Sequence, residues 1–288
     1  MIDRQARDLP LDAHVHTDLS PDSDVPIDEF ARQAVERGIA EIAITDHVDF
    51  EPGAQAYEFS TFEQRERTVR DAADRWADRG VTIRFGAELT YDRSWEPDIR
   101  RHLRHHAYDF TIGSWHDRVD SAFSPRRVAA WTAGKSMREI VAPAFDEVVA
   151  AARSGLFDVI GHIDVVKRYL YPHITADDLA RAPELYEAIL RALIESGTAL
   201  EINTSGLRHD VGESYPSPAV VAMYATMGGR AITVGSDAHR ANHFAWALAD
   251  GYEAARGAGI DALTFGRGVV ARSIPLRSTP NAVAGRSL

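Results

Sequence analysis

Ala231-Ile-Thr-Val234-Gly-Ser-Asp237-Ala-His239 carries two messages in one short stretch. Ala231–Val234 is apolar and β-branched, the composition of a buried strand, and it runs straight into a glycine followed by carboxylate and imidazole donors. The same pattern recurs along the chain. Leu11–His14, Glu41–Thr45, Thr82–Gly86, Asp109–Ile112, Phe157–Ile160 and Ala199–Ile202 bring the candidate strands to seven. Polar phrases follow most of them: Asp12-Ala-His14-Val-His16, Thr45-Asp46-His47, Gly86-Ala-Glu88, Gly113-Ser-Trp-His116 and Gly161-His162-Ile-Asp164. Between the strands lie helical patterns near Ile27–Arg37, Thr61–Arg79, Pro97–His106, Met137–Ser154, Ala176–Glu195, Pro218–Met227 and His243–Ala258. Strand and helix in alternation specify a parallel sheet or barrel.

The expected fold is therefore α/β, a distorted seven-stranded (β/α) TIM-like barrel, with an eighth strand to be sought near Val269–Ile274. One domain should span 1–288, with the barrel at about 10–276 and a surface tail at 277–288. Start and stop signals support the helices. Thr175 with Asp178 resembles a capping box, Ser217-Pro218 reads as an N-cap followed by proline, and Gly38, Gly80, Gly155, Gly197 and Gly228 stand where helices should end. Each polar phrase falls at the carboxyl end of a strand. That rim carries the chemistry of parallel barrels, because rigid strands hold their ends in place while the loops remain free to vary.

Composition narrows the function classes. Hydrophobic residues make up 45% and charged residues 26%, ordinary for a globular protein, and no apolar stretch approaches a membrane span. Met1–Pro10 lacks an apolar core and a small-residue cleavage site, so the expected location is the cytoplasm. A net charge of −11 argues against nucleic acid as a partner. The absence of cysteine excludes thiolate ligands and leaves imidazole and carboxylate donors, which suit zinc, manganese or iron. Thirty of the 32 basic residues are arginine; Lys135 and Lys167 are the exceptions.

A divalent cation needs four to six donors converging from several directions, more than any single phrase supplies, so the fold must assemble them. His14 and His16 are two apart on an extended segment and point the same way, so both can reach one ion. Asp12 shares their face and could orient an imidazole. Not every candidate belongs to such a site. His102, His105 and His106 sit among Arg100, Arg101 and Arg104 on a helix and read as a solvated face. Trp115 is either core or pocket wall, Asp46 and Asp164 are capping or supporting groups, and Asn203 could meet a ligand or close a turn.

Taken together, the phrases resemble the polymerase and histidinol phosphatase (PHP) superfamily of metal-dependent phosphoesterases over roughly Leu11 to Gly266. Asp109-Phe-Thr-Ile-Gly-Ser-Trp-His116, Phe157-Asp-Val-Ile-Gly-His-Ile-Asp-Val-Val-Lys-Arg-Tyr169 and Glu201-Ile-Asn-Thr-Ser-Gly-Leu-Arg208 are similar to its histidinol-phosphatase branch. The resemblance implies three divalent ions. One would take His14, His16, Glu88 and Asp237; a second would share Glu88 and add His116 and His162; a third would take Asp22, His47 and His239. Asp22 stands where some relatives carry histidine, which shifts that position toward manganese or iron.

The implied reaction is hydrolysis of a small phosphate monoester, with histidinol phosphate as the leading substrate and histidine biosynthesis as the setting. Glu88 would bridge two cations, and Asp237 or a nearby histidine would protonate the leaving alcohol. Arg168, six residues past His162, is the candidate phosphate clamp, and Arg208 is a second. Trp115 and Asp117 beside His116 could meet the organic part of the substrate. Two alternatives stay open: a phosphoesterase acting on nucleotides or oligonucleotides, and a non-catalytic metal-binding module.

Overall fold

The computed structural model describes residues 9–117, 121–267 and 271–276. Seven parallel strands form the barrel wall, joined in the order β1 (Leu9–Val15), β2 (Ile39–Ile44), β4 (Thr82–Thr90), β5 (Phe110–Ser114), β6 (Val159–Ile160), β7 (Ala199–Asn203) and β8 (Ile232–Gly235). A two-residue strand, β3 (His47–Val48), adds itself to β4 and sets His47 directly opposite Glu88. Most wall residues are buried, as befits strands covered on both faces. The covering helices include α1 (Ile27–Arg37), α2 (Phe62–Ala77), α3 (Glu96–His105), α4 (Val128–Thr132) and α5 (Met137–Ser154). They continue with α6 (Val166–Leu170), α7 (Ala176–Ala180), α8 (Glu187–Ser196), α9 (Pro218–Thr226) and α10 (Leu248–Gly257).

The seam between β1 and β8 is where the barrel is distorted. It closes only at the rim, through a bridge between Val15 and Ala238 and hydrogen bonds from Asp237 N to His14 O (2.8 Å) and from His16 N to Ala238 O (2.9 Å). Lower down, the strands are joined by side chains. Asp12 accepts from Ser236 N at 2.8 Å and Ser236 Oγ at 2.6 Å, and the Tyr252 hydroxyl of α10 hydrogen-bonds both backbone groups of Leu11. These contacts satisfy polar groups that a regular ladder would otherwise pair.

Several expectations need correcting. No eighth wall strand forms near Val269–Ile274 among the described residues: β10 (Arg272–Pro275) pairs antiparallel with β9 (Ala262–Phe265) in a separate two-stranded sheet. The helix expected over Ala176–Glu195 divides into α7, a single 3₁₀ turn at Pro183–Leu185 and α8, because Pro183 offers no N–H and crowds the preceding turn. β4 runs through Glu88 to Thr90, so that carboxylate projects from a strand and not from the loop after it. His102 and His106 are also less solvated than expected. His102 Nε2 lies 2.9 Å from the Tyr108 hydroxyl, and the His106 ring sits 4.3 Å from that of Phe62. The tail at 277–288 lies outside the described residues. Among the described residues, no helix is long and apolar enough to cross a membrane.

Candidate metal centre

Donors from every wall strand but β2 and β7 converge above the rim, joined by His47 from β3 and Asp22 from the loop after β1. Donors held about 2.0–2.1 Å from a tetrahedral cation lie about 3.3–3.4 Å from one another. Asp22, His47 and His239 match that triangle, with Nε2 of His47 and His239 at 3.4 and 3.2 Å from Asp22 Oδ2 and 3.4 Å from each other. His14 Nε2 and His16 Nε2 lie 3.3 and 3.4 Å from Glu88 Oε2, while Asp237 Oδ1 is 3.4 Å from His16 Nε2 and 3.8 Å from His14 Nε2. On its other side, Glu88 Oε1 meets His162 Nε2 at 2.8 Å and His116 Nε2 at 3.3 Å. Buried Glu88 Oε2 accepts no hydrogen bond although imidazoles surround it, as a ligand atom awaiting a cation would. The donor set therefore fits divalent cations. The groups overlap, since His16 also reaches His47 and His239, and His47 also reaches Glu88 and His116.

Outer hydrogen bonds aim the rings. His14 Nδ1 lies 2.6 Å from Glu201 Oε1, His239 Nδ1 donates to the Asp237 carbonyl at 3.1 Å, and Thr90 Oγ1 is 3.0 Å from His116 Nδ1. Each turns Nε2 toward the centre, where, with the proton kept on Nδ1, that nitrogen would offer its lone pair to a cation. Close backbone approach makes this possible. A Cβ on Gly235 would sit 2.3 Å from His14 Cβ and 2.8 Å from Glu201 Oε1, so only glycine fits before Ser236 and Asp237. Asp237 itself takes φ +54°, a left-handed conformation that places its carboxylate between His14, His16 and His239.

The electrostatics are those of closely apposed opposite charges. Burial opposes charge on His14, yet Glu201, Glu88 and Asp237 together hold its pKa well above the ordinary imidazole value. Burial likewise opposes ionisation of Glu88 and Asp237, and the facing imidazoles outweigh it, keeping both carboxyls well below their usual range. Asp237 is thus ionised, a state suited to binding a cation and unsuited to donating a proton. For His16, burial and the neighbouring His239 and His47 act together and push its pKa well down, which leaves its ring neutral.

One cavity of about 790 Å³ opens onto these donors. Arg168 lines it, exposed, with no hydrogen bond or ion pair from its side chain among the described residues. Trp115 and Asp117 also line it, the Trp115 ring standing edge-on to Phe123 and Tyr169 at 5.5 and 6.1 Å. Arg208 is engaged elsewhere. Its Nη1 and Nη2 donate to the carbonyls of Ser236 (2.7 Å) and Asp237 (2.9 Å), bracing the strand end that carries the candidate ligand Asp237. Asp12 orients no imidazole, since its carboxylate is taken up by Ser236 and Ala245, and burial pushes its pKa up to about 6. Asp46 supports the first loop, accepting from Thr17 N and Oγ1 and from Ser20 Oγ. Asn203 does both things expected of it: its Oδ1 accepts from Ser205 N, and its Nδ2 reaches Asp237 Oδ2 at 3.3 Å.

Sequence reasoning missed Glu201, the group that takes the role imagined for Asp12. Its signal was available, because Glu201-Ile-Asn203 places two polar side chains on one face at the end of an apolar strand, as His14-Val-His16 does. Arg65 gave no such signal. It comes from α2, is 5% exposed, and donates to the carbonyls of His47 and Ser60 at 3.0 Å each, holding the candidate donor His47 of β3 from outside the rim. Asp49, Phe50, Asp92 and Trp95 were missed as pocket residues too.

A parallel barrel whose rim gathers clustered imidazoles and carboxylates beside one cavity defines a barrel protein with a candidate metal centre. Comparison with known proteins agrees. The PHP domain family matches residues 12–205, and the chain belongs to that family. A probable histidinol-phosphatase of Deinococcus radiodurans is 28% identical over 257 residues, covering 88% of this chain and 95% of the relative. One from Thermotoga maritima is 29% identical over 237 residues, covering 81% of this chain and 85% of the relative. Among solved structures, histidinol phosphate phosphatase from Lactococcus lactis, complexed with zinc, L-histidinol and phosphate, shares the fold with a TM-score of 0.78 at 23% identity, covering 90% of this chain and 97% of that one.

Proposed function

We propose that this chain is a histidinol-phosphate phosphatase, cleaving the phosphate monoester with water in histidine biosynthesis, in the cytoplasm, with three divalent cations at the rim. The coarser reading, a phosphatase of the PHP family, rests on the family match and on relatives named as phosphatases. The observation that carries the finer one is the composition of the cavity at the rim. Donor side chains for cations lie on its floor, and Arg168 stands at its side. Acidic Asp49, Glu51, Asp92 and Asp117 line it together with aromatic Phe50, Tyr91, Trp95, Trp115 and Tyr169.

Each part has a chemical task. Divalent cations on these donors would activate water and neutralise the phosphoryl oxygens. Glu88, ionised and reached from both sides, would be shared by two cations, with His14, His16 and Asp237 holding one, His116 and His162 the second, and Asp22, His47 and His239 the third. The planar guanidinium of Arg168 can meet two phosphate oxygens at once. The acidic and aromatic wall suits a cationic leaving group with a flat ring, which describes histidinol better than it describes a nucleoside. Trp115 and Asp117 are the contacts nearest the His116 end of the site. In this reading Arg208 braces Asp237 and leaves phosphate to Arg168.

The test is kcat/KM for histidinol phosphate against AMP and a nitrophenyl ester under one metal condition. A preference for histidinol phosphate over AMP of at least ~100-fold, about 2.7 kcal/mol, is expected. An equal or reversed ratio would transfer the chain to the nucleotide phosphoesterases, and no turnover with any ester would leave it a metal-binding module.

A further inference from the structure

Lys167 is one of only two lysines in the chain and is 1% exposed. Its ammonium lies 3.0 Å from Asp164 Oδ2 and donates to Glu213 Oε1 at 2.6 Å and to the Ser214 carbonyl at 2.9 Å. Asp164 Oδ2 also accepts from the Tyr186 hydroxyl at 2.9 Å. Glu213 and Ser214 belong to a loop that is itself anchored, because Asn203 and Tyr215 exchange backbone hydrogen bonds of 2.8 Å in both directions. One buried cation thus joins the turn after ligand His162 to the end of β7. We propose that Lys167 is a positioning residue: held by Asp164, Glu213 and Ser214, it fixes the rotation of α6 and so aims Arg168 at the substrate phosphate.

The argument is geometric. α6 has five residues, too few to hold a helical course unaided, so its orientation depends on what its inward side chains grip. Val166 and Leu170 supply apolar contact, which tolerates sliding, whereas hydrogen bonds to an ammonium do not. Arg168 follows Lys167 by about 100° around the helix axis, and a turn of 15° would carry a guanidinium about 8 Å from that axis through about 2 Å. Misplacement by even about 1 Å of a group that positions substrate can cost on the order of 100-fold in rate.

This inference rests on the proposal that Arg168 binds phosphate, and its test separates the two. Wild type, Lys167→Met, Arg168→Ala and the double variant are compared for kcat/KM with histidinol phosphate and for inhibition by inorganic phosphate, with metal content measured on each. Lys167→Met is expected to lose on the order of 10–100-fold in kcat/KM and to bind inorganic phosphate more weakly at unchanged metal content. The double variant should fall within about threefold of the worse single variant, because both substitutions remove the same contact. Losses that multiply, or a Lys167→Met loss with phosphate inhibition unchanged, would overturn the inference and reduce Lys167 to a structural ion pair. Should Lys167→Met fail to fold, Glu213→Ala replaces it at a partly exposed position. A smaller loss, again non-additive with Arg168→Ala, supports the inference, and wild-type kinetics or additivity overturns it. Wild-type phosphate inhibition in Arg168→Ala would also end it, while failure of the phosphatase reading would appear separately, as wild-type protein without monoesterase turnover.

Discussion

Replacing Glu201 with Gln should weaken the metal centre without removing a ligand. Glu201 is completely buried; Oε1 lies 2.6 Å from His14 Nδ1, and Oε2 accepts from His162 N at 2.8 Å and from Asn203 Nδ2 at 3.2 Å. An amide of the same shape cannot serve both partners. If its oxygen faces His14, its NH₂ meets the His162 N–H, two donors opposed in a buried place at a cost of about 1–3 kcal/mol. If its NH₂ faces His14, Nδ1 must become the acceptor and the proton moves to Nε2, where it blocks the cation. Losing a supporting carboxylate of this kind costs roughly 10–100-fold in metal affinity, and the forced mismatch places this case near the upper end, about 100-fold or about 2.7 kcal/mol. Competition with a calibrated chelator measures the affinity, and thermal unfolding in excess chelator shows whether the metal-free fold has also suffered. A Gln variant that binds metal within twofold of wild type would refute the reasoning, because it would mean that the carboxylate neither sets the His14 tautomer nor holds the His162 backbone.

The remaining expectations concern other groups. Glu88→Gln should strip metal from the two positions that share it and abolish most turnover, checked by elemental analysis beside a wild type expected to hold three ions per chain; unchanged content and rate would remove Glu88 as the bridge. Arg168→Ala should lower kcat/KM by about 2–4 kcal/mol of transition-state stabilisation, with Arg168→Lys recovering only part, and steady-state kinetics decide it. His102 offers a pH test away from the metals: burial, then the charges of His106 and Arg65, push its pKa down to about 4 from the ordinary 6.5. The unfolded chain therefore takes up this proton first as pH falls. The stability His102 contributes is fully present above about pH 6.5 and is lost on the way to about pH 4, by about 1–2 kcal/mol once partial exposure is discounted. Denaturant titrations of wild type and His102→Gln should diverge over that window, and parallel curves would show that the half-buried ring does not resist protonation.

Strand order, most helix positions and the placing of imidazole and carboxylate side chains at strand ends were legible in one dimension, because each depends on neighbours in the chain. Alternation of apolar runs with amphipathic stretches specifies the parallel barrel, and the glycine-then-donor phrases mark its rim. A proline in a helical pattern was equally local, and Pro183 could have been read as the break between α7 and α8. What could not be read is whatever depends on approach between distant segments. The seam between β1 and β8 is joined by Asp12 with Ser236 and by Leu11 with Tyr252, each pair more than 200 positions apart in sequence. Arg65 reaches back to His47 from a helix face, and Arg208 spends its guanidinium on the carbonyls of Ser236 and Asp237, although its sequence context differs little from that of Arg168. Both arginines follow ligand-bearing or ligand-supporting strand ends, and both are the right type to grip phosphate. Which of them faces the cavity and which braces its wall follows from backbone direction after β6 and β7 and from which acceptors lie within about 3 Å. Hydrogen bonding is short-ranged and directional, so that choice is made only when the chain has folded.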